Sequence, residues 1–182
     1  MTRSRGLGDV YKRQDVRDER TGTHMADGYA RASNQPGVII AGQNGPGATN
    51  LVTGLAQAKA AFSPVVSLAG LYSTKDKMED AFQGLDQQSL FEPVTKKTIT
   101  LKNSKNIPNA ISDGFNVAMS PRRGPVCINL PRNLLAEKNN YKINEKIKSF
   151  KNTNNTQSNH NSIKIDAKLI SKSSKGIIMV GG

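Results

Sequence analysis

Residues 37–55 read Gly37-Val38-Ile39-Ile40-Ala41-Gly42-Gln43-Asn44-Gly45-Pro46-Gly47-Ala48-Thr49-Asn50-Leu51-Val52-Thr53-Gly54-Leu55. The apolar run 37–42, bounded by Gly and Pro, predicts a buried strand. Residues 43–47 carry the Gly and Pro of a turn. From residue 48 to 61 the period changes to that of a helix, with Leu51, Leu55 and Ala58 on one face. One strand, one turn and one helix in this order form half of a βαβ unit.

The same alternation continues on both sides. Residues 21–32 suit a helix, with Met25, Tyr29 and Ala32 at helical spacing. Residues 64–70 and 124–130 are two further apolar runs with strand character. Between them, 107–119 is helical, with Ile107, Ile111, Phe115 and Ala118 along one side. Strands that are apolar on both faces and separated by helices predict a parallel sheet covered on both sides. The expected fold is therefore an open, doubly wound α/β domain with helices on both faces and ligand sites at the carboxyl ends of its strands.

The ends of the chain differ from this core. Residues 1–14, MTRSRGLGDVYKRQ, have neither an apolar period nor a helix cap. They resemble translated library-adapter sequence, and the natural sequence is expected to resume near Asp15. The domain is expected to span 15–138. Residues 139–165, rich in Lys and Asn, read as a linker unable to bury a core. Residues 166–182 read as the start of a second α/β domain, with a strand at 176–182 running into a Gly turn. A unit that stops at its first turn predicts that the natural protein continues.

Charge follows the same division. The chain of 182 residues carries a formal net charge of +12. Residues 15–141 hold 14 Lys+Arg against 11 Asp+Glu, whereas 142–182 hold 8 against 2 and residues 1–14 hold 4 against 1. The excess therefore sits at the ends. Aromatic residues are only 5% and there is no Trp, so the stacking and charge pattern of a nucleic-acid binder is missing. No apolar run has the length of a membrane helix. Cys127 is the single cysteine, so neither a disulfide framework nor a cysteine metal cluster can form within one chain. Its apolar neighbours predict a buried thiol, and a cytoplasmic setting is expected.

Four segments resemble, in order, the pyrimidine-binding domain of thiamine-diphosphate-dependent enzymes of the acetolactate-synthase and pyruvate-oxidase type. The first is Glu19 with His24 five residues on and then Gly28-Tyr29-Ala30-Arg31. The second is Gly45-Pro46-Gly47-Ala48-Thr49-Asn50, the third Asp80-Ala81-Phe82-Gln83-Gly84-Leu85-Asp86, and the fourth Arg123-Gly124-Pro125-Val126-Cys127-Ile128-Asn129-Leu130-Pro131. Two details depart from acetolactate synthases. Arg20 and Thr21 stand where those enzymes usually carry Gln-Gly, and Gln43-Asn44 is closer to sulfoacetaldehyde acetyltransferases.

The resemblance implies the chemistry. In that family a glutamate hydrogen-bonds N1′ of the cofactor's aminopyrimidine and shifts the ring to its imino tautomer. A carboxyl suits this task because it both donates and accepts a proton, and partial burial raises its pKa toward neutrality. By resemblance Glu19 is the catalytic residue and also binds the cofactor; Pro46 and Asn50 line the pyrimidine pocket, and Gln83 sits near the reacting atoms. No metal ligand is assigned within this chain. The Mg²⁺ and diphosphate of the cofactor are expected on a Gly-Asp-Gly segment of another domain, and FAD is an optional further cofactor. The expected substrate is a small 2-oxo acid, handled by a homo-oligomer with the site at a subunit interface and with no nucleic-acid or membrane partner.

Each of these residues also has a plainer role open to it. Glu19 can be a first-turn acid favoured by the helix dipole, Pro46 part of a structural turn, Asn50 a cap and Gln83 a loop residue. His24 is expected to pack or to hydrogen-bond rather than act as a base, and Lys96-Lys97 to be a solvated pair. Within the family, acetolactate synthesis is the first expectation. Sulfoacetaldehyde acetyltransferase, benzoylformate-decarboxylase-like and oxalyl-CoA-decarboxylase-like activities are alternatives. A non-catalytic binding or regulatory subunit is the alternative from another class.

Overall fold

The computed structural model describes residues 14–141 and 159–177, which fall into two compact units. The first is an α/β domain. Its elements in chain order are α1 (Glu19–Ser33), β1 (Gly37–Ala41), α2 (Pro46–Ala60), β2 (Val65–Leu71), α3 (Gln87–Phe91), β3 (Lys97–Thr100), α4 (Ile107–Met119), β4 (Val126–Pro131) and α5 (Arg132–Leu135). Of the leader expected at 1–14, residues 1–13 lie outside the described residues.

All four strands are parallel, in the order β1-β2-β4-β3. Successive side chains of each strand point to opposite faces, and each face has its own core. Ile39, Val65, Ala69 and Cys127 pack with Ala26 of α1, Leu51 and Leu55 of α2 and Phe91 of α3. Val66, Val126 and Ile128 pack with Ala110 and Ala118 of α4 and with Leu134. This is the expected doubly wound sheet with helices on both faces. The faces alternate because direction does. The chain moves from β1 to β2 to β3 with its helices on the first face, then steps back to β4 through α4 on the second, which keeps each crossover right-handed.

Several expectations are corrected. The first helix begins at Glu19 rather than residue 21, because Asp18 caps it by accepting a hydrogen bond from the Arg20 amide at 2.8 Å. Its buried face is Gly22, Thr23, Ala26, Asp27 and Ala30. Met25 and Tyr29, at helical spacing, instead face outward and are 46% and 57% exposed. Small residues win the inner face because α1 runs close to α2, where the site of a Cβ on Gly54 is already filled by Thr23. Nor is β1 buried on both sides. It is an edge strand that alternates, with Val38 and Ile40 exposed. The strand β3 escapes a hydrophobic reading because Lys97-Thr98-Ile99-Thr100 has no apolar run; an edge position tolerates such a sequence.

Lys96 and Lys97 are not an equivalent solvated pair. Lys97 is exposed and pairs with Asp113 at 2.7 Å. Lys96 is half-buried and donates to the carbonyls of Val117, Ser120 and Pro121 and to the Ser120 hydroxyl. It thus closes the C-terminus of α4, where cations are favoured. Its desolvation holds the amine below its ordinary pKa.

The second unit contains α6 (His160–Lys172), capped by Asn159. Six of its residues fall in the stretch read as linker. Asn159 caps it and Ile163, Ala167 and Ile170 give it an apolar stripe. Gly176 and Ile177 have no regular structure, and the rest of the expected terminal strand lies outside the described residues.

Candidate functional site

In a parallel α/β sheet the carboxyl ends of the strands share one edge. The N-terminus of α1 lies at that edge, because α1 runs antiparallel to β1 and precedes it. The turn after β1 and the start of α2 lie there as well. Glu19 is the first residue of α1 and is half-buried. Its position is fixed from below. Asp18 caps the helix, and the Thr23 hydroxyl donates to the Glu19 carbonyl at 2.6 Å. The Arg20 guanidinium beside Asp18 lowers that carboxyl to about 2, so the cap is anionic at neutral pH.

Asn50 lies one turn into α2. Its side-chain amide donates to Glu19 Oε2 at 3.0 Å. Glu19 Oε1 faces Gly47. A Cβ there would stand 3.4 Å from Oε1 and 2.9 Å from the Gln43 Cβ. Gly47 is buried, and the turn packs so closely on Gln43 and the Glu19 carboxylate that it leaves no room for a side chain. Pro46 is exposed at the first position of α2, where its fixed φ and missing N–H cost nothing.

Gly45 carries the turn. Its φ of 62° and ψ of −107° suit glycine, and a Cβ on it would lie 2.8 Å from both the Cβ and the carbonyl oxygen of Gln83. The loop that holds Gln83 thus sits on the turn that holds Pro46. Gln83 itself has a left-handed φ of 55°. The Asn44 amide donates to the carbonyls of Phe82 and Gln83 at 2.9 and 3.0 Å, and the Gln43 amide donates to Gln83 Oε1. All four candidate residues, Glu19, Pro46, Asn50 and Gln83, are therefore joined through direct contacts of their own or neighbouring residues.

His24 is exposed and does not take the packing role expected of it. Among the described residues no three His, Cys, Asp or Glu side chains gather as metal ligands, and no helix is long and apolar enough to cross a membrane. Cys127 is buried as expected, and desolvation pushes its thiol up to about 12.

Two residues escaped the sequence reading. Gln87 and Asn129 are buried side by side beneath the turn. A polar residue in the middle of the apolar run 125–130 was the available signal for Asn129, since a buried amide demands partners. Gln87 offered no such signal, because its segment reads as a polar loop until α3 forms.

The N-terminal thiamine pyrophosphate (thiamine diphosphate) binding domain of thiamine pyrophosphate enzymes matches residues 11–90. A probable acetolactate synthase large subunit of Methanocaldococcus jannaschii is 40% identical over 170 residues, covering 92% of this chain and 29% of that protein. The acetolactate synthase isozyme 3 large subunit of Escherichia coli is 37% identical over 170 residues, with 92% and 29% covered. The acetolactate synthase of Bacillus subtilis is 36% identical over 127 residues, with 70% and 22% covered. The chain thus spans less than a third of the length of these relatives. The segment matched by the family includes Glu19, the Gly45–Gly47 turn, Asn50 and Gln83, and the chain belongs to the thiamine pyrophosphate enzymes as a carrier of their N-terminal cofactor-binding domain.

Proposed function

We propose that this domain holds the aminopyrimidine ring of thiamine diphosphate in an enzyme of the acetolactate-synthase type, with Glu19 as the catalytic residue. The observation that carries the reading is the Glu19–Asn50 hydrogen bond, made where the closely packed Gly47 turn meets the Glu19 carboxylate. The residues fit the group. The Glu19 carboxyl is half-buried at the carboxyl ends of the strands, its Oε2 is held by Asn50, and Pro46 and Gln83 border the adjoining turn. When bound, thiamine diphosphate supplies the electron sink that 2-oxo acid chemistry requires.

The roles of the chain's own residues follow from their contacts. Asn50 holds Glu19 Oε2 by donating to it, which leaves Oε1 as the oxygen that holds and moves a proton toward a ring nitrogen. Gly47, having no side chain, lets the start of α2 pack against Glu19. Pro46 and Gln83 border the cofactor, with the Gln83 amide oriented by Gln43. The substrate is a small 2-oxo acid, and acetolactate synthesis from pyruvate is the preferred reaction because acetolactate synthases are the relatives matched over most of this chain. Mg²⁺ and the diphosphate are held by segments outside this chain, with FAD as an optional further group. A second copy completes the site, a reading supported by the exposed Met25 and Tyr29 on the helix that carries Glu19. The single buried cysteine agrees with a cytoplasmic enzyme.

The test is C2 proton–deuterium exchange of bound thiamine diphosphate in the complete enzyme that contains this domain, compared with Glu19→Gln. The amide keeps a hydrogen bond to the ring but cannot shuttle a proton. A loss of about a hundred- to ten-thousand-fold in exchange rate is expected. Rates within about threefold of each other, under about 1 kcal/mol of barrier, would refute the role of Glu19.

A further inference from the structure

Gln87 is the first residue of α3 and is only 1% exposed. Its side chain makes contacts in three directions. Oε1 accepts from the Gly45 amide at 3.3 Å, while Nε2 donates to the Gly70 carbonyl and to Asn129 Oδ1, both at 3.0 Å. Asn129 in turn donates to the Thr100 hydroxyl at 3.0 Å, and that hydroxyl donates to Gln88 Oε1 at 2.7 Å. One hydrogen-bonded row therefore crosses the carboxyl ends of β2, β4 and β3 and ends on the backbone of the Gly45 turn.

An apolar side chain of similar size would fill this space without the cost of burying an amide. The amide is instead fully used, and among the described residues no buried side-chain nitrogen or oxygen lacks a partner. What the polar group adds is direction. Glycine adopts the conformation of Gly45 without strain but has more alternatives than any other residue, so contacts from outside the turn must determine it. Gln87 supplies that determination by tying the Gly45 N–H to the two central strands. Because α2 starts at Pro46, the same bond fixes the start of the helix that carries Asn50.

We propose that Gln87 is the positioning residue of the site: it locks the Gly45 turn to the sheet and thereby sets Asn50 against Glu19. This rests on the reading of Glu19 and Asn50 as the functional pair. Its test, however, needs no cofactor and so fails or succeeds separately from that reading.

The test uses the 182-residue chain, labelled for NMR, and two variants. Gln87→Met keeps the bulk and removes both donor and acceptor. Gly45 amide exchange is expected to quicken about tenfold or more, as loss of one hydrogen bond allows, while β2–β4 ladder amides keep their protection. The Asn50 side-chain amide resonances are expected to shift with it. In Gln87→Glu the ionised carboxylate would face the Gly70 carbonyl and Asn129 Oδ1. Gly45 protection is then expected to be low at neutral pH and to recover on acidification, when the carboxyl can donate. A packing role alone gives no such pH dependence, and this variant decides the matter if Gln87→Met does not fold. Gly45 exchange within twofold of wild type in Gln87→Met, unmoved Asn50 resonances, or a pH-independent Gln87→Glu would each overturn the proposal.

Discussion

The contact between α1 and α2 sets the distance between Glu19 and Asn50, and Gly54 tests it. A Cβ on Gly54 would lie 2.5 Å from Thr23 Cβ and 2.6 Å from Thr23 Cγ2. Ordinary carbon contacts are about 3.5–4.0 Å, so a methyl group there intrudes by about 1 Å or more. Thr23 has nowhere to go, since it is fully buried and its hydroxyl is bound to the Glu19 carbonyl. Overpacking of this kind costs about 1–3 kcal/mol. Against it, Ala is the better helix former by about 1 kcal/mol. Gly28, in α1, provides the control. A Cβ there meets nothing within 4 Å and the residue is exposed. Gly28→Ala should therefore stabilise by about 0.5–1 kcal/mol, whereas Gly54→Ala should be neutral to destabilising by about 2 kcal/mol. A separation near 2 kcal/mol corresponds to about 1 M between urea midpoints at a slope of ~2 kcal/mol/M. The assay is urea unfolding of both variants with unchanged slope. If Gly54→Ala stabilises as much as Gly28→Ala, the helices do not pack this closely and the geometry assigned to Glu19 and Asn50 is wrong.

Two further outcomes follow from ionisable groups. Burial pushes the Cys127 thiol up to about 12, so at pH 8 it should react with iodoacetamide far more slowly than a free thiol, and only as fast as the domain opens; rapid labelling of folded protein would contradict its place in the core. Asp18 is lowered to about 2 chiefly by its hydrogen bond from Arg20. A depressed carboxylate contributes stability that is present above its unfolded value and lost as pH falls through the folded one. Urea midpoints should accordingly fall between about pH 4 and pH 2 more steeply in wild type than in Asp18→Asn, which keeps a capping oxygen without the charge. Parallel curves would show that the Asp18–Arg20 pair does not matter to the cap.

The sequence by itself determined the class of fold and named the segments that hold the candidate residues. Strand and helix periods are local, and the residues 126–130 or 107–119 announce their element without knowing their neighbours. Turn chemistry is local too, so Gly45-Pro46-Gly47 marks a turn before any contact is seen. Whatever depended on which face meets which neighbour had to wait for the tertiary structure. Helical spacing put Met25 and Tyr29 inside, but the close approach of α2 admits only small residues and turns them out. The apolar run 37–42 looked buried on both sides, but an edge position leaves Val38 and Ile40 exposed. Lys96 and Lys97 are indistinguishable in sequence, yet one caps a helix through four acceptors and the other pairs with Asp113 at the surface. Gln87 belongs to the same group. A glutamine after an aspartate says nothing until the ends of β2 and β4 meet beneath the Gly45 turn, because the partners that make its burial favourable lie 17 and 42 residues away along the chain.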